Sequence, residues 1–385
     1  MISIQNKIKK SFIDLIVQFV TNEKIVDDLS EIEVINIIKF AEYHSVEKII
    51  YSSLKSIGII IPEDFEKLNK VLLQKAIVQD CELESISNSF NEHNIYHLPL
   101  KGSLLKTYYP SFEYRSMADI DFFVKKNDLK KIKKVLINLG YKLENEGGTH
   151  DVYLKPPFMN IEIHRNMLDV EFDNYNYYSD IWKKVITKNE YMLELSNEDF
   201  YIYNIIHAGK HFSFGGTGVK ILIDIYYLLK KFPNLDFAYI EKELKKINLH
   251  TFGNCLVNLS KKIFSKEKLT EDEELVLDYI LDSGTYGNLN NSSILGIIKN
   301  QDENEKQGKI KFVLKRIFPA FKVLKQKYPI LEKYPFLVPY YWLKRLCAVI
   351  FNKKRREGYL KGISNSNQDK VEKIKRIKEI TQIDD

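Results

Sequence analysis

The chain has 385 residues, enough for two or three domains, and its 44% hydrophobic and 29% charged residues are ordinary for a globular protein. No run approaches the roughly eighteen apolar residues that a membrane-spanning helix requires, which argues against an integral membrane protein. The formal net charge is +6, and the three cysteines lack zinc-binding spacing. We expect reduced core thiols, no signal peptide and a cytoplasmic location.

Helical periodicity dominates the first part of the chain. Apolar residues recur at helical spacing over residues 2–20, 34–43, 46–57 and about 65–93. We therefore predict an N-terminal helical region, residues 1–94, that packs against the rest of the protein.

A glycine turn and several short strands follow. Residues 95–100 predict a strand that stops at Gly102 and Ser103, where a short helix begins. Backbone N–H groups at a helix start bind phosphate, so this turn is a candidate phosphate cradle. A strand-helix-strand run and two later strands predict a mixed core of four or five strands, within an α/β region that we place at residues 95–195.

Two carboxylates lie on one predicted strand. Residues 119–124 alternate so that Asp119 and Asp121 share one face, while Ile120 and Phe122 share the other. Carboxylates this close repel each other unless a cation lies between them, and their oxygens suit Mg²⁺. The pattern predicts a metal site, although a lone D-x-D pair is more often an edge strand with two acids on its outer face.

A third carboxylate lies on a later strand. Residues 158–164 alternate in the same way, which puts Asn160, Glu162 and His164 on one face. If this strand neighbours the first, Glu162 becomes a metal ligand on the same face of the sheet, or alternatively a general base. His164 would then orient an acceptor or bond to a backbone carbonyl.

Four short stretches resemble a known family: residues 100–102 (Leu-Lys-Gly), 114–121 (Tyr-Arg-Ser-Met-Ala-Asp-Ile-Asp), 161–164 (Ile-Glu-Ile-His) and 207–211 (His-x-x-x-His). They are similar to an uncharacterised bacterial nucleotidyltransferase family of the polymerase-beta-like nucleotidyltransferase superfamily, over roughly residues 30–350. The gap between Ser103 and Asp119 is longer than in most of the superfamily but is shared by the narrower family. The resemblance implies an α+β fold, with a small mixed β-sheet nucleotidyltransferase core embedded in a mostly helical chain.

The resemblance also implies a reaction, the transfer of a nucleoside monophosphate from a nucleoside triphosphate such as ATP to an acceptor, with release of pyrophosphate. The catalytic and metal-binding residues would be Asp119, Asp121 and Glu162, with Mg²⁺ or Mn²⁺ as the ion. The nucleotide-binding residues would be Lys101, Gly102, Ser103, Arg115 and Lys210. Lys101 and Arg115 have an equally acceptable structural explanation, which is pairing with carboxylates of the sheet.

Helical patterns return over residues 196–300, which we expect to close over the site. His207 and His211 share one helix face, with Lys210 beside them. Three interpretations compete for these two histidines. They bind zinc as a pair, without an obvious third ligand, or they are core histidines bonded to the backbone, or they are accessory residues of the site. The resemblance favours the third alternative. Asp224 is expected to anchor the preceding glycine-rich loop.

Basic and aromatic residues are concentrated near the C-terminus, in a region that we place at residues 301–385. Residues 309–356 contain fourteen Lys and Arg and one acid, Glu332. This composition suits contact with an anionic membrane at its cytoplasmic face, or helices packed on the core with a solvated basic face, which is the commoner case. We find no DNA-binding motif.

Two other functions stay open. The chain can be a non-catalytic nucleotidyltransferase-fold scaffold at a membrane surface, or a nucleotidylating toxin that acts on protein or tRNA. The basic segment permits both, but no RNA-binding motif supports the second.

Overall fold

The N-terminal part of the chain is helical, as predicted. A computed structural model describes residues 2–168, 175–299, 314–315, 317–328, 330–352 and 368–383. The first helices are α1 (Ile2–Thr21), α2 (Glu31–His44), α3 (Glu47–Ser56) and α4 (Glu63–Glu92). The chain between α4 and the next long helix contains the sheet.

A seven-stranded mixed sheet follows these helices. Its strands are β1 (His97–Pro99), β2 (Ile120–Val124), β3 (Lys142–Asn145), β4 (His150–Lys155), β5 (Met159–His164), β6 (Ile186–Asn189) and β7 (Met192–Glu194). They lie in the order β3-β4-β5-β2-β1-β7-β6, with β2–β5 and β1–β7 parallel and the other neighbours antiparallel. All five residues of β2 are buried, as its central position requires. The predicted α+β fold class is therefore confirmed.

Two short helices belong to this region. They are α5 (Gly102–Leu105) and α6 (Leu129–Asn138), and α6 packs against one face of the sheet together with the end of α4. Ile120 and Phe122 of β2 and Ile161 and Ile163 of β5 point to that face and are fully buried. Because side chains alternate along a strand, the acidic residues between them point to the opposite face.

Six helices follow the sheet. They are α7 (Asn197–Ser213), α8 (Lys220–Lys231), α9 (Phe237–Lys246), α10 (His250–Ser265), α11 (Glu271–Ser283) and α12 (Leu289–Lys299). Their buried apolar residues form one large cluster with those of α1, α2 and α3. This cluster joins the N-terminal helices to the second helical part of the chain.

The C-terminal part contributes four described helices. They are α13 (Phe321–Lys327), α14 (Ile330–Lys333), α15 (Val338–Phe351) and α16 (Gln368–Thr381). Helix α16 packs on α10, α11 and α12, whereas no residue of α15 is buried. Of the basic segment 309–356, residues 309–313, 316, 329 and 353–356 lie outside the described residues.

Three details differ from the sequence predictions. The first strand is only His97–Pro99, shorter than predicted, and the sheet has seven strands instead of the predicted four or five. The two extra strands are the β6–β7 hairpin, which was not predicted because β6 is exposed and mostly polar. The prediction of three core thiols is also corrected, because Cys81 is exposed, Cys347 lies on α15, and only Cys255 packs, partly buried, against the core. No helix in the described part of the chain is long and apolar enough to span a membrane. The division into four regions stays a prediction.

Candidate functional site

Three carboxylates meet on the face of the sheet opposite α4 and α6. Strands β2 and β5 are parallel neighbours, and their register places Asp121 directly beside Glu162. Asp119 lies two residues before Asp121, immediately before β2, so both side chains point to the same face. One carboxylate oxygen from each residue lies within 4.8 Å of the other two. The structure therefore brings together the three residues that the sequence proposed as metal ligands, in an arrangement that can hold a divalent cation.

Asp121 lies between two basic side chains. The Nζ atom of Lys101 is 3.3 Å from one carboxylate oxygen of Asp121, and Nε2 of His164 is 2.6 Å from the other. The Asp121 side chain is only 5% exposed, and this burial alone would raise its pKa. The charges of Lys101 and His164 outweigh burial and hold the pKa of Asp121 below its ordinary value. Asp121 is therefore anionic at neutral pH.

Asp119 has a different electrostatic environment. Burial, followed by the negative charge of Asp121, raises the pKa of Asp119 to about 6. Lys101 opposes this shift without cancelling it. Opposite pKa shifts in two neighbouring carboxyl groups are common at functional sites. Here they arise because Lys101 and His164 stabilise the Asp121 anion more than the Asp119 anion. A divalent ion bound here would lower the pKa of Asp119.

The glycine turn borders a cavity that the three carboxylates also line. Lys101 has a φ of 44°, which is uncommon for a residue other than glycine, and Gly102 begins α5. A Cβ atom on Gly102 would lie 2.6 Å from a guanidinium nitrogen of Arg115 and 2.8 Å from Sδ of Met117, so no larger residue fits without a shift. Ser103 is 4% exposed, and its N–H donates to the Leu100 carbonyl. Gly102 lines the cavity, whereas Ser103 is not among its lining residues.

Arg115 is held by Asp224 of α8. Its guanidinium donates to both carboxylate oxygens of Asp224, over 2.8 and 2.9 Å, and the Tyr109 hydroxyl donates to the same carboxylate over 2.7 Å. Asp224 therefore anchors the segment before β2 that carries Arg115. The sequence suggested that Asp224 anchors the glycine-rich loop instead, and the bidentate contact with Arg115 corrects that interpretation.

Helix α7 forms part of the cavity wall. Ser196 caps its start, accepting a bond from the Asp199 N–H, and His207, Lys210 and His211 face the cavity. The two imidazoles approach within 3.1 Å through their Nε2 atoms. Burial, followed by the charge of Lys101, lowers the pKa of His207 well below its ordinary value, so His207 is neutral.

Zinc binding by the His207–His211 pair gains no support from the structure. Two groups of three potential ligands can meet at one ion among the residues that the structure describes. Neither group includes His207 or His211. The pair is better described as part of the cavity wall, with one imidazole bonded to the other.

The cavity has a volume of about 360 Å³ and mixed charge. Three titratable residues of its lining were missed by sequence reasoning. His150 begins β4, Lys220 begins α8, and Tyr286 lies beyond α11. The alternation of residues 150–155 could have drawn attention to His150, whereas the other two reach the cavity through folding of distant segments. Lys220 donates to the Ser116 carbonyl over 3.2 Å, and burial lowers its pKa to about 8.

The fold and the site together define a protein with a mixed sheet, a carboxylate set suited to a divalent cation, and basic residues around a cavity. The chain belongs to the uncharacterised nucleotidyltransferase family, whose sequence profile matches residues 30–265, more than half of the chain. This membership identifies it as a transferase of nucleotidyl groups. Comparisons with curated proteins and with solved structures give no match.

Proposed function

We propose that the protein transfers a nucleoside monophosphate from a nucleoside triphosphate to an acceptor hydroxyl or phosphate and releases pyrophosphate. The observation that carries this proposal is the meeting of Asp119, Asp121 and Glu162 on one sheet face, in a chain of a nucleotidyltransferase family. Placement in the polymerase-beta-like superfamily, ATP as a donor and a cytoplasmic location belong to the same proposal.

The three carboxylates would hold Mg²⁺, or Mn²⁺ in its place. Bound ions of this kind neutralise triphosphate charge and lower the pKa of an attacking hydroxyl. Asp121 is fixed by Lys101 and His164, so its oxygens are oriented before a ligand binds. This preorganisation matters because transfer to an acceptor depends on the position of the reacting groups.

Basic residues around the cavity would bind the phosphates. Gly102 allows the backbone to approach closely, and Lys101 and Lys210 both line the cavity with basic side chains. Arg115 holds a bidentate pair with Asp224, so we assign it a positioning role for the glycine turn in addition to charge. Ser103 would act only through the turn that it stabilises, because its side chain is buried.

The position of the label in the donor tests the reaction. Cell lysate is incubated with Mg²⁺ and a triphosphate labelled at the α-phosphate, and in parallel with one labelled at the γ-phosphate. We expect a lysate component to gain only the α label with the parent chain and none with Asp121→Asn. Glu144→Gln, which removes an exposed carboxylate on β3, is the matched control and should retain transfer. Transfer of the γ label, or equal transfer by Asp121→Asn, would contradict the proposal.

We also propose a peripheral contact with an anionic membrane through the described part of the segment 309–356. Large apolar side chains are exposed there, with Phe336, Tyr340, Leu343 and Phe351 between 58% and 84% exposed. The Lys and Arg excess of this segment complements anionic lipid headgroups. Exposed aromatic residues beside positive charge fit a membrane surface better than open solvent.

Vesicle sedimentation tests this contact. The parent chain should bind vesicles that contain phosphatidylserine and not vesicles of phosphatidylcholine alone. A Phe336→Ser, Phe351→Ser double variant should bind several-fold more weakly, while Ile60→Ser, at a 93% exposed site on the N-terminal side, should not change binding. Equal binding by both variants and the parent would overturn the membrane contact and leave the transfer reaction untouched.

A further inference from the structure

A second group of potential metal ligands lies beside the three carboxylates. It consists of His150, Glu162 and His164, with ligand atoms that all lie within 4.8 Å of one another. His150 begins β4 and is the cross-strand partner of His164 on β5, and Glu162 lies two residues before His164. Directly opposed residues on antiparallel strands point to the same face, so the sheet itself places these three side chains together.

We propose that His150, Glu162 and His164 form a second cation site that takes a divalent transition-metal ion such as Zn²⁺. The donor set differs from the carboxylate set because two of its three ligands are imidazoles. Imidazole nitrogen suits Zn²⁺, Cu²⁺, Ni²⁺ and related ions, whereas Mg²⁺ prefers oxygen ligands only. The two sets share Glu162, so the face of the sheet offers an oxygen site and a nitrogen-containing site side by side.

The distances fit a small ion. Nε2 of His164 is 3.3 Å and Nε2 of His150 is 3.5 Å from the same Glu162 oxygen, Oε2. Ligands at about 2.0–2.2 Å from a tetrahedral ion lie roughly 3.3–3.5 Å from one another. Two of the three edges of the ligand triangle therefore already have the required length. The third edge, between the ligand nitrogens of the two imidazoles, is no longer than 4.8 Å.

The site is also accessible and oriented. All three side chains line the cavity, and the His164 and Glu162 side chains are 11% and 19% exposed. In the metal-free chain Nε2 of His164 donates to Asp121, so this nitrogen already points to the carboxylate face of the sheet. An ion bound at Nε2 of His164 would replace the hydrogen bond to Asp121. Asp121 would then keep its contact with Lys101 and its place in the carboxylate set. Occupation of the second site would thereby couple to the first one.

This inference does not rest on nucleotidyl transfer, because the three side chains share a sheet face whatever reaction the protein catalyses. The full chain is first stripped of metal with a chelator and then titrated with Zn²⁺ alone, without nucleotide, against a chromophoric chelator. We expect one strong site per chain. His150→Ala should bind Zn²⁺ at least about tenfold more weakly. His93→Ala, which removes an exposed histidine immediately after α4, is the matched control and should keep the parent affinity.

Two further variants assign the ion to this donor set. Asp119→Asn should lose less affinity for Zn²⁺ than His150→Ala, because Asp119 belongs only to the carboxylate set. His150→Asp should retain a metal but bind Mn²⁺ relatively better than the parent does, since oxygen replaces nitrogen. Co²⁺ is a spectroscopic probe, and its visible absorption bands in the parent should change in His150→Asp.

The outcomes separate this site from the proposed reaction. Absence of strong Zn²⁺ binding to the parent, parent-like affinity in His150→Ala, or a larger loss in Asp119→Asn than in His150→Ala would overturn the second site. Each of these results leaves α-label transfer as it is. Conversely, a chain that binds Zn²⁺ as expected but transfers no label would overturn the proposed function alone.

Discussion

Asp119→Asn should raise the free energy of unfolding of the metal-free protein, while it weakens metal binding by the three carboxylates. In the parent, burial and the neighbouring charge of Asp121 raise the pKa of Asp119 to about 6, from an ordinary value of 3.8. An ionised Asp119 is therefore less favourable in the folded chain than in the unfolded one. An amide of the same shape removes that unfavourable charge.

The size of the effect follows from linkage. A pKa raised by about two units corresponds to roughly 3 kcal/mol, and relaxation around the partly exposed group reduces this to about 1–3 kcal/mol. The folded state binds more protons than the unfolded state between about pH 4 and 6, so stability falls as pH rises through that window. The gain from Asp119→Asn should be complete at pH 7–8 and close to zero at pH 4, where the parent Asp119 is protonated in the folded state.

Thermal unfolding in the presence of a chelator measures this gain. For a chain of 385 residues, about 1–3 kcal/mol corresponds to a Tm increase of about 1–4 °C at pH 7.5. Added Mg²⁺ should raise the Tm of the parent more than that of the variant, because the ion binds the folded site. A variant that is less stable than the parent at pH 7.5, or one with the same gain at pH 4, would refute the reasoning. Glu144→Gln should show neither effect.

Three other changes test the cavity. Gly102→Ala should weaken triphosphate binding about tenfold or more and lower the stability of the fold, because its Cβ would lie 2.6 Å from Arg115 and displace that side chain, and fluorescence titration with a labelled triphosphate measures the binding. Asp224→Asn should lower the free energy of unfolding by about 3–5 kcal/mol in urea denaturation, since it leaves the Arg115 charge buried beside a neutral amide. Triphosphate binding should weaken as pH rises through about 8, where Lys220 loses its charge, and Lys220→Gln should remove that dependence. Unchanged triphosphate affinity in Gly102→Ala would count against the role of Gly102 in the phosphate turn. An unchanged free energy of unfolding in Asp224→Asn would count against the Arg115–Asp224 pair. A Lys220→Gln pH profile identical to that of the parent would count against the role of Lys220.

The sequence predicted the parts of the site that depend on local periodicity. Alternation over residues 119–124 and 158–164 was sufficient to place Asp119, Asp121 and Glu162 on strand faces, and the two strands proved to be parallel neighbours. Periodicity carries this information because successive side chains of a strand point to opposite faces of the sheet.

Contacts between distant segments were beyond the same reasoning. Arg115 and Asp224 are separated by 109 positions, and no local pattern indicates that they pair. His150 reaches the site only because β4 lies beside β5 in one particular register. The β6–β7 hairpin was missed because β6 is exposed and lacks the apolar alternation that identifies strands.

The central claim is that Asp119, Asp121 and Glu162 bind the divalent cations of a triphosphate substrate. Crystals of the full chain grown with Mn²⁺ and a non-hydrolysable triphosphate test it directly, since anomalous scattering locates Mn²⁺ without ambiguity. The account predicts an anomalous peak within about 2–2.5 Å of oxygens from these three carboxylates, with phosphates against Gly102. Mn²⁺ and triphosphate bound together elsewhere on the protein, with these carboxylates uninvolved, would contradict it.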